Sequence, residues 1–225
     1  MAHRIRIAID GPAGAGKSTV ARMVAEKLGY IYIDTGAMYR AVTLQALVDN
    51  INIHDAAALT GIAGRVDISL RLDEDGNTRI YLNNRDVTKE IRTPEVSGAV
   101  SLVSRVPGVR ERMTMLQREM AARGGVVMEG RDIGTQVLPD AEAKFFLTAS
   151  AEERARRRFA ELKQSGYSIN YDQVIRDINK RDEIDSGRAV APLKPASDAR
   201  IIDCSGMTVE QVVNLILSEV SGRLK

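Results

Sequence analysis

The chain has little of what many functional classes require. Its 225 residues include two histidines, His3 and His54, one cysteine, Cys204, and no tryptophan. That scarcity excludes Cys/His zinc sites, iron–sulfur clusters, disulfide frameworks and c-type haem attachment. A Ser-His-Asp hydrolase would have to use one of two histidines far from any nucleophile motif. Neither sign of charge is in excess. With 32 basic and 30 acidic side chains the net charge is +2, which argues against a protein that coats nucleic acid. No apolar run approaches the ~18–20 residues needed to span a bilayer. Met1-Ala2-His3-Arg4-Ile5-Arg6 holds no signal-peptide core and enters a strand pattern at once, so a cytoplasmic protein is expected.

What remains is an ordinary globular composition, 44% hydrophobic and 28% charged. Its length suits one core with an insertion, or one and a half domains. One skew stands out: 24 arginines against 8 lysines. A GC-rich genome produces such a bias without functional meaning. The functional alternative is planar, bidentate recognition of anions.

Short apolar runs predict strands at residues 5–9, 30–33, 126–128, 144–147 and 200–203. Helical spacing predicts helices at 16–28, 37–50, 94–105, 107–123, 151–163, 171–185 and 209–220. Thr208 and Gln211 form a capping-box pattern before the last of these. This alternation indicates an α/β fold with a five-stranded parallel sheet and helices on both faces. The middle departs from it. Residues 65–72 alternate apolar and polar, 73–77 read as a turn, and 78–82 as a second strand. An antiparallel hairpin is therefore expected in a small β lobe at residues 60–92, inserted in a core of residues 1–59 and 93–225.

Gly11-Pro12-Ala13-Gly14-Ala15-Gly16-Lys17-Ser18-Thr19 matches the P-loop pattern in full, between a predicted strand and a predicted helix. Glycines there let the backbone form a nest of N–H donors around phosphate, and the helix N-terminus adds partial positive charge. Lys17 reaches the β and γ phosphates, and the Ser18 hydroxyl is placed for Mg²⁺. ATP binding follows, but not its use. Asn179-Lys180-Arg181-Asp182 imitates a guanine-reading tetrapeptide, and Asp73 with Gly76 a D-x-x-G. The first falls in a charged helical pattern and the second in a hairpin turn, so a GTPase is disfavoured. Nothing supports a motor or transport ATPase. Small-molecule kinases remain, with a regulatory ATP-binding switch as the reading from another class.

Asp34-Thr35-Gly36-Ala37-Met38-Tyr39-Arg40 and Gly130-Arg131-Asp132-Ile133-Gly134-Thr135 each end a predicted strand. Open α/β sheets bind ligands beyond the carboxyl ends of their strands. Both segments, with Arg40 and Arg131, are therefore expected at the crevice that holds the P-loop.

Taken with the hairpin insert, Glu90-Ile91-Arg92-Thr93 and residues 181–192, these motifs make the chain resemble the bacterial cytidylate kinases over essentially its whole length. The resemblance implies a P-loop nucleoside-monophosphate-kinase-like core with a helical lid at about residues 152–188. It implies transfer of the ATP γ-phosphoryl group to CMP or dCMP, with Mg²⁺, by a monomer that needs neither nucleic acid nor membrane. A kinase for UMP or another small acceptor is the alternative. The cytosine-reading residues of that family match Ser101, Arg110 and Asp132. Its ribose and phosphate contacts match Thr35, Arg40, Arg131, Arg181, Asp185 and Arg188. Lys17, Arg131, Arg181 and Arg188 would form the catalytic set. Without the resemblance, Ser101 reads as helix filler and Arg110 as a surface residue. Glu129 stands where relatives often carry Asp, and either orients Mg²⁺ waters or supports its neighbours. The run Arg154, Arg156, Arg157, Arg158 is either a salt-bridged surface or an ATP contact, and Arg157 is taken as the nucleotide residue.

Overall fold

The computed structural model describes residues 4–74, 76–164 and 166–223. Met1–His3, Asp75, Ser165, Leu224 and Lys225 lie outside the described residues. Residues 1–32 with 123–225 form one compact unit, and residues 33–122 a second.

The first unit is built on the parallel sheet. Its strands are β1 (Arg6–Asp10), β2 (Ile31–Asp34, whose last two residues belong to the second unit), β6 (Val126–Gly130), β7 (Ala143–Thr148) and β8 (Arg200–Asp203), in the order β2-β6-β1-β7-β8. The central strand β1 pairs with β6 from Arg6↔Val126 to Asp10↔Gly130, and on its other side with β7. Strands buried on both faces need continuous apolar runs. Accordingly Ile7, Ala8 and Ile9 are all inaccessible. On one face Ile7, Ile9, Val127, Phe145 and Ile202 pack with Val20 and Val24 of α1 (Lys17–Leu28) and Val213 and Ile216 of α8 (Val209–Arg223). The expected capping box is present: Thr208 N donates to Gln211 Oε1 at 2.8 Å, and Gln211 N to Thr208 Oγ1 at 3.3 Å. Helices α6 (Ala151–Gln164) and α7 (Tyr171–Ser186) pack through Ala155, Val174 and Ile178. The Asn179–Asp182 tetrapeptide lies inside α7, in agreement with its dismissal as a guanine reader.

The second unit contains α2 (Thr35–Val48), α3 (Ala56–Arg65), α4 (Pro94–Ser104) and α5 (Pro107–Ala121). It also carries a three-stranded antiparallel sheet of β3 (Ile68–Leu72), β4 (Thr78–Leu82) and β5 (Arg85–Asp86). The hairpin is therefore present, with a short third strand added by the pairing Leu82↔Arg85. Helix α3 was not expected and runs across residue 60, the anticipated start of the lobe. Gly61 and Gly64 obscure its pattern, yet Asp55 caps it by accepting from Ala58 N. Met38, Leu59, Ile62, Ile80, Val100 and Met113 form the core of this unit. Among the described residues no helix is long and apolar enough to cross a membrane.

Candidate active site

The P-loop follows β1 directly. Gly11 has φ +147°, and a Cβ there would stand 2.0 Å from the Leu147 carbonyl oxygen, so only glycine fits. Gly16 caps α1 in the left-handed region and offers no side-chain acceptor. The first N–H groups of α1 thus have no side-chain cap, which is the condition for anion binding at a helix start. Lys17 is buried, and its Nζ donates to the Pro12 carbonyl at 2.7 Å. Burial and the guanidiniums of Arg131 and Arg181 push its pKa well down, against the pull of Glu129 and Asp10. A polyanion arriving at this loop would reverse that balance. Ser18 and Thr19 are exposed.

Asp10, the last residue of β1, was absent from the expected site. Its two carboxylate oxygens accept from Ile133 N and Gly134 N, each at 2.8 Å. It thereby anchors a single π-helical turn (Ile133–Val137) next to Asp132, and π turns recur at functional sites. Asp132 is buried, and its carbonyl accepts from Gln136 N at 2.8 Å. Glu129 is buried on β6 and accepts from the Tyr32 hydroxyl at 2.7 Å.

Three of the expected catalytic arginines meet on one carboxylate. Asp185 is almost wholly buried on α7. Its Oδ2 accepts from Arg131 Nε at 2.9 Å and has Arg181 Nε at 3.9 Å, and its Oδ1 pairs with Arg188. Burial alone would raise its pKa, but Arg131, Arg188 and Arg181 together outweigh burial and hold it below the ordinary carboxylate range. Three guanidiniums thus converge on a single buried carboxylate. The backbone bond from Leu193 N to Asp185 O, 2.9 Å, folds the segment after α7 back and brings Arg188 there.

The run on α6 divides. Arg156 and Arg158 pair with Glu153 and Glu161, which is the salt-bridged surface reading. Arg157 donates from Nε to Glu153 and from Nη2 to the Cys204 carbonyl, both at 2.9 Å. Its Nη1 stands 3.8 Å from where a Cβ on Gly16 would be, at the edge of the P-loop.

In the second unit, Thr35 is buried at the start of α2 and Arg40 lies one turn on. Asp34 caps α2 by accepting from Ala37 N at 2.8 Å and holds Arg40 Nη2 at 2.9 Å. Ser101 is buried on α4 and Arg110 on α5. Arg110 is therefore no surface residue. Its Nη1 donates to the Ser104 carbonyl at 3.1 Å, and its guanidinium lies 5.5 Å from the Tyr39 ring centroid. The Ser104 hydroxyl in turn donates to the Ser101 carbonyl at 3.3 Å, so the α4–α5 corner holds both residues.

The family model for cytidylate kinase matches residues 7–222. The chain belongs to the cytidylate kinase family. It is 60% identical over 215 residues to the cytidylate kinase of Pelotomaculum thermopropionicum, covering 96% of this chain and 95% of that one. It is 51% identical over 220 residues to that of Bacillus licheniformis, covering 98% and 97%. Among solved structures it is similar in fold to a gluconokinase from Sinorhizobium meliloti, with TM-score 0.50, 15% identity, and 97% and 94% of the two chains covered. Among the carboxylates of Asp10, Asp34 and Asp185, Asp10 is the one that sequence reading missed, whereas Asp185 was expected as an acceptor contact through the resemblance and Asp34 as the start of its motif. Asp10 directly precedes the legible P-loop but has no residue-type signal of its own.

Proposed function

We propose that this chain is an ATP:CMP/dCMP phosphotransferase that makes CDP or dCDP. The observation that carries the reading is the Asp185 cluster in the same compact unit as the P-loop. A single triphosphate on the P-loop has Lys17 and a helix N-terminus. Three further guanidiniums on one carboxylate exceed its needs and suit a second phosphate. The relatives named cytidylate kinase support CMP as the carrier of that phosphate.

In this reading ATP lies on Gly11, Pro12, Ala13, Gly14, Ala15, Gly16, Lys17, Ser18 and Thr19, with Arg157 beside it. Thr35, Arg40, Arg131, Arg181, Asp185 and Arg188 hold the ribose and phosphate of the acceptor. Ser101, Arg110 and Asp132 read cytosine, and Asp132 selects it by accepting from the exocyclic amine. The acceptor phosphate is already an anionic nucleophile, so these residues position it and stabilise charge, and no base is needed. Residues 60–92 serve as the acceptor lobe. Residues 152–188 act as a lid whose arginines exclude water.

The donor set fits Mg²⁺. Ser18 is an exposed hydroxyl in the first turn of α1, and Mg²⁺ takes few protein oxygens beside phosphates and water. Ser18 would hold the ion, with Glu129 orienting its waters. When bound, Mg²⁺ neutralises charge on the transferring phosphates. The same reading places the enzyme in the cytoplasm as a monomer acting on free nucleotides.

The test is ADP release from Mg·ATP with CMP, dCMP, UMP, AMP or GMP as acceptor. CMP and dCMP should stimulate it most, and no stimulation by any of the five ends the kinase reading. In Asp132→Ala the preference for CMP over UMP should collapse. Equal losses with both acceptors would remove Asp132 from base reading.

A further inference from the structure

Arg154 is buried although charged, and its guanidinium is used in three directions. Nε donates to the Ala149 carbonyl at 3.0 Å, within the approach to α6. Nη1 donates to the Ala13 carbonyl of the P-loop at 3.1 Å. Nη2 meets Asp182 Oδ2 of α7 at 2.7 Å. Arginine alone can do this, because its planar fork presents separate donors in fixed directions.

Each end of this strap has a consequence. The Ala13–Gly14 peptide is trans, so its carbonyl and its N–H point opposite ways. Holding the Ala13 oxygen on Arg154 therefore turns the Gly14 N–H to the other side. The two backbones also touch: a Cβ on Gly14 would stand 2.9 Å from the Arg154 carbonyl oxygen. At the far end, Asp182 Oδ1 is buried with no hydrogen-bond partner among the described residues. Arg154 thus anchors that carboxylate through Oδ2. Asp182 directly follows Arg181, and Asp185 stands one turn further along α7.

We propose that Arg154 is a positioning residue that ties the α7 arginine cluster to the P-loop, so that the phosphates of ATP and of the acceptor strengthen each other's binding. The inference rests on the kinase reading above. If the P-loop peptide is fixed by the arriving triphosphate, Arg154 is fixed with it, and Asp182 and Arg181 follow. If α7 settles on the acceptor phosphate first, the same contacts act in reverse, as reciprocal linkage demands.

The experiment is calorimetric titration of CMP into the full chain with Mg²⁺, with and without saturating AMP-PNP. In the natural protein AMP-PNP should tighten CMP by about fivefold or more. Asp182→Asn removes the charge that holds the strap at α7 and leaves Arg154 on Ala13. It should bring the factor below about twofold while AMP-PNP alone binds within about twofold of normal. Arg154→Lys has one ammonium for three acceptors and should lose the coupling too. The double variant should lose no more than either single one, since they break one path.

Retained coupling in a folded Asp182→Asn or Arg154→Lys protein overturns the proposal. So do additive losses, or a natural protein that phosphorylates CMP without coupling. Should Asp182→Asn fail to fold, Arg154→Lys decides alone by the same ratio. A natural protein that does not phosphorylate CMP overturns the kinase reading instead, so the two failures are distinct.

Discussion

Asp185 and Asp34 are buried aspartates that hold arginines, one in each compact unit, and they are built to different ends. Asp185 gives both oxygens to guanidiniums, those of Arg131 and Arg188, with Arg181 close by. Asp34 gives one oxygen to the backbone of its own helix, at Ala37 N, and the other to Arg40, with the more exposed Arg92 at 3.7 Å. The first carboxylate exists to assemble cations. The second is a helix cap that also aims one arginine. Burial is similar for the two, so the difference lies in what the oxygens are committed to.

The largest effect should come from breaking the first arrangement. Asp185→Ala leaves three guanidiniums facing one another with Arg188 almost inaccessible. Removing one partner of a buried ion pair costs about 3–5 kcal/mol, and guanidinium chloride unfolding should read a loss of that order. Arg188→Ala should do the reverse. Asp185 keeps two arginines, so stability changes little, but turnover should fall by at least about a hundredfold, near 2.7 kcal/mol in the barrier. ATP binding should survive. Near-normal turnover would remove Arg188 from the reaction. Asp34→Ala comes next, with about 1–2 kcal/mol for the lost cap, since Arg40 at its other oxygen is only partly buried and can turn toward solvent. If Asp34→Ala proves as damaging as Asp185→Ala, the two carboxylates are not distinguished by their partners.

The contrast also marks what was legible in the sequence. The P-loop, the five strands and most helices were readable because each depends on local period or a contiguous motif: Gly11 must be glycine for its own backbone angle, and Thr208 caps its own helix. The hairpin at Ile68–Leu72 and Thr78–Leu82 was readable for the same reason. Helix α3 was missed because Gly61 and Gly64 interrupt its pattern while its stability comes from packing, as Leu59 and Ile62 are inaccessible. Arg110 read as a surface residue because its burial depends on Tyr39, distant in sequence, and on the turn between α4 and α5 that brings the Ser104 carbonyl to it. Asp10 was harder still, and Asp185 was reached only through the family resemblance. An aspartate beside a motif carries no mark of whether its oxygens will meet amides, guanidiniums or water. Those partners sit 123 residues away for Asp10 and 54 for the Arg131–Asp185 pair.

A last test applies the same principle inside one unit, as a change with pH rather than a loss on substitution. Asp10 and Asp185 are both deeply buried, yet their carboxyls shift in opposite directions. For Asp10, burial dominates over the amides of Gly134 and Ile133 and over Lys17, and its pKa rises to about 6. For Asp185 the guanidiniums win and the pKa falls. The signs for stability then oppose. Between about pH 4 and 6 the folded protein holds the Asp10 proton while the unfolded chain has released it. Stability of the nucleotide-free protein should therefore fall as pH rises through that window, by at most about 1.4 kcal/mol per pH unit from this group. Asp185 acts below about pH 4, where the unfolded chain takes up a proton first, so its contribution is present above that range and lost as pH falls through its folded value. Urea unfolding of the natural protein and of Asp10→Asn from pH 3.5 to 7 separates the two. Asp10→Asn should flatten the slope between pH 4 and 6 and leave the acid limb in place. An unchanged slope would mean that two amide donors suffice to keep a buried carboxylate ionised, and that three arginines on Asp185 serve the ligand rather than the charge they surround.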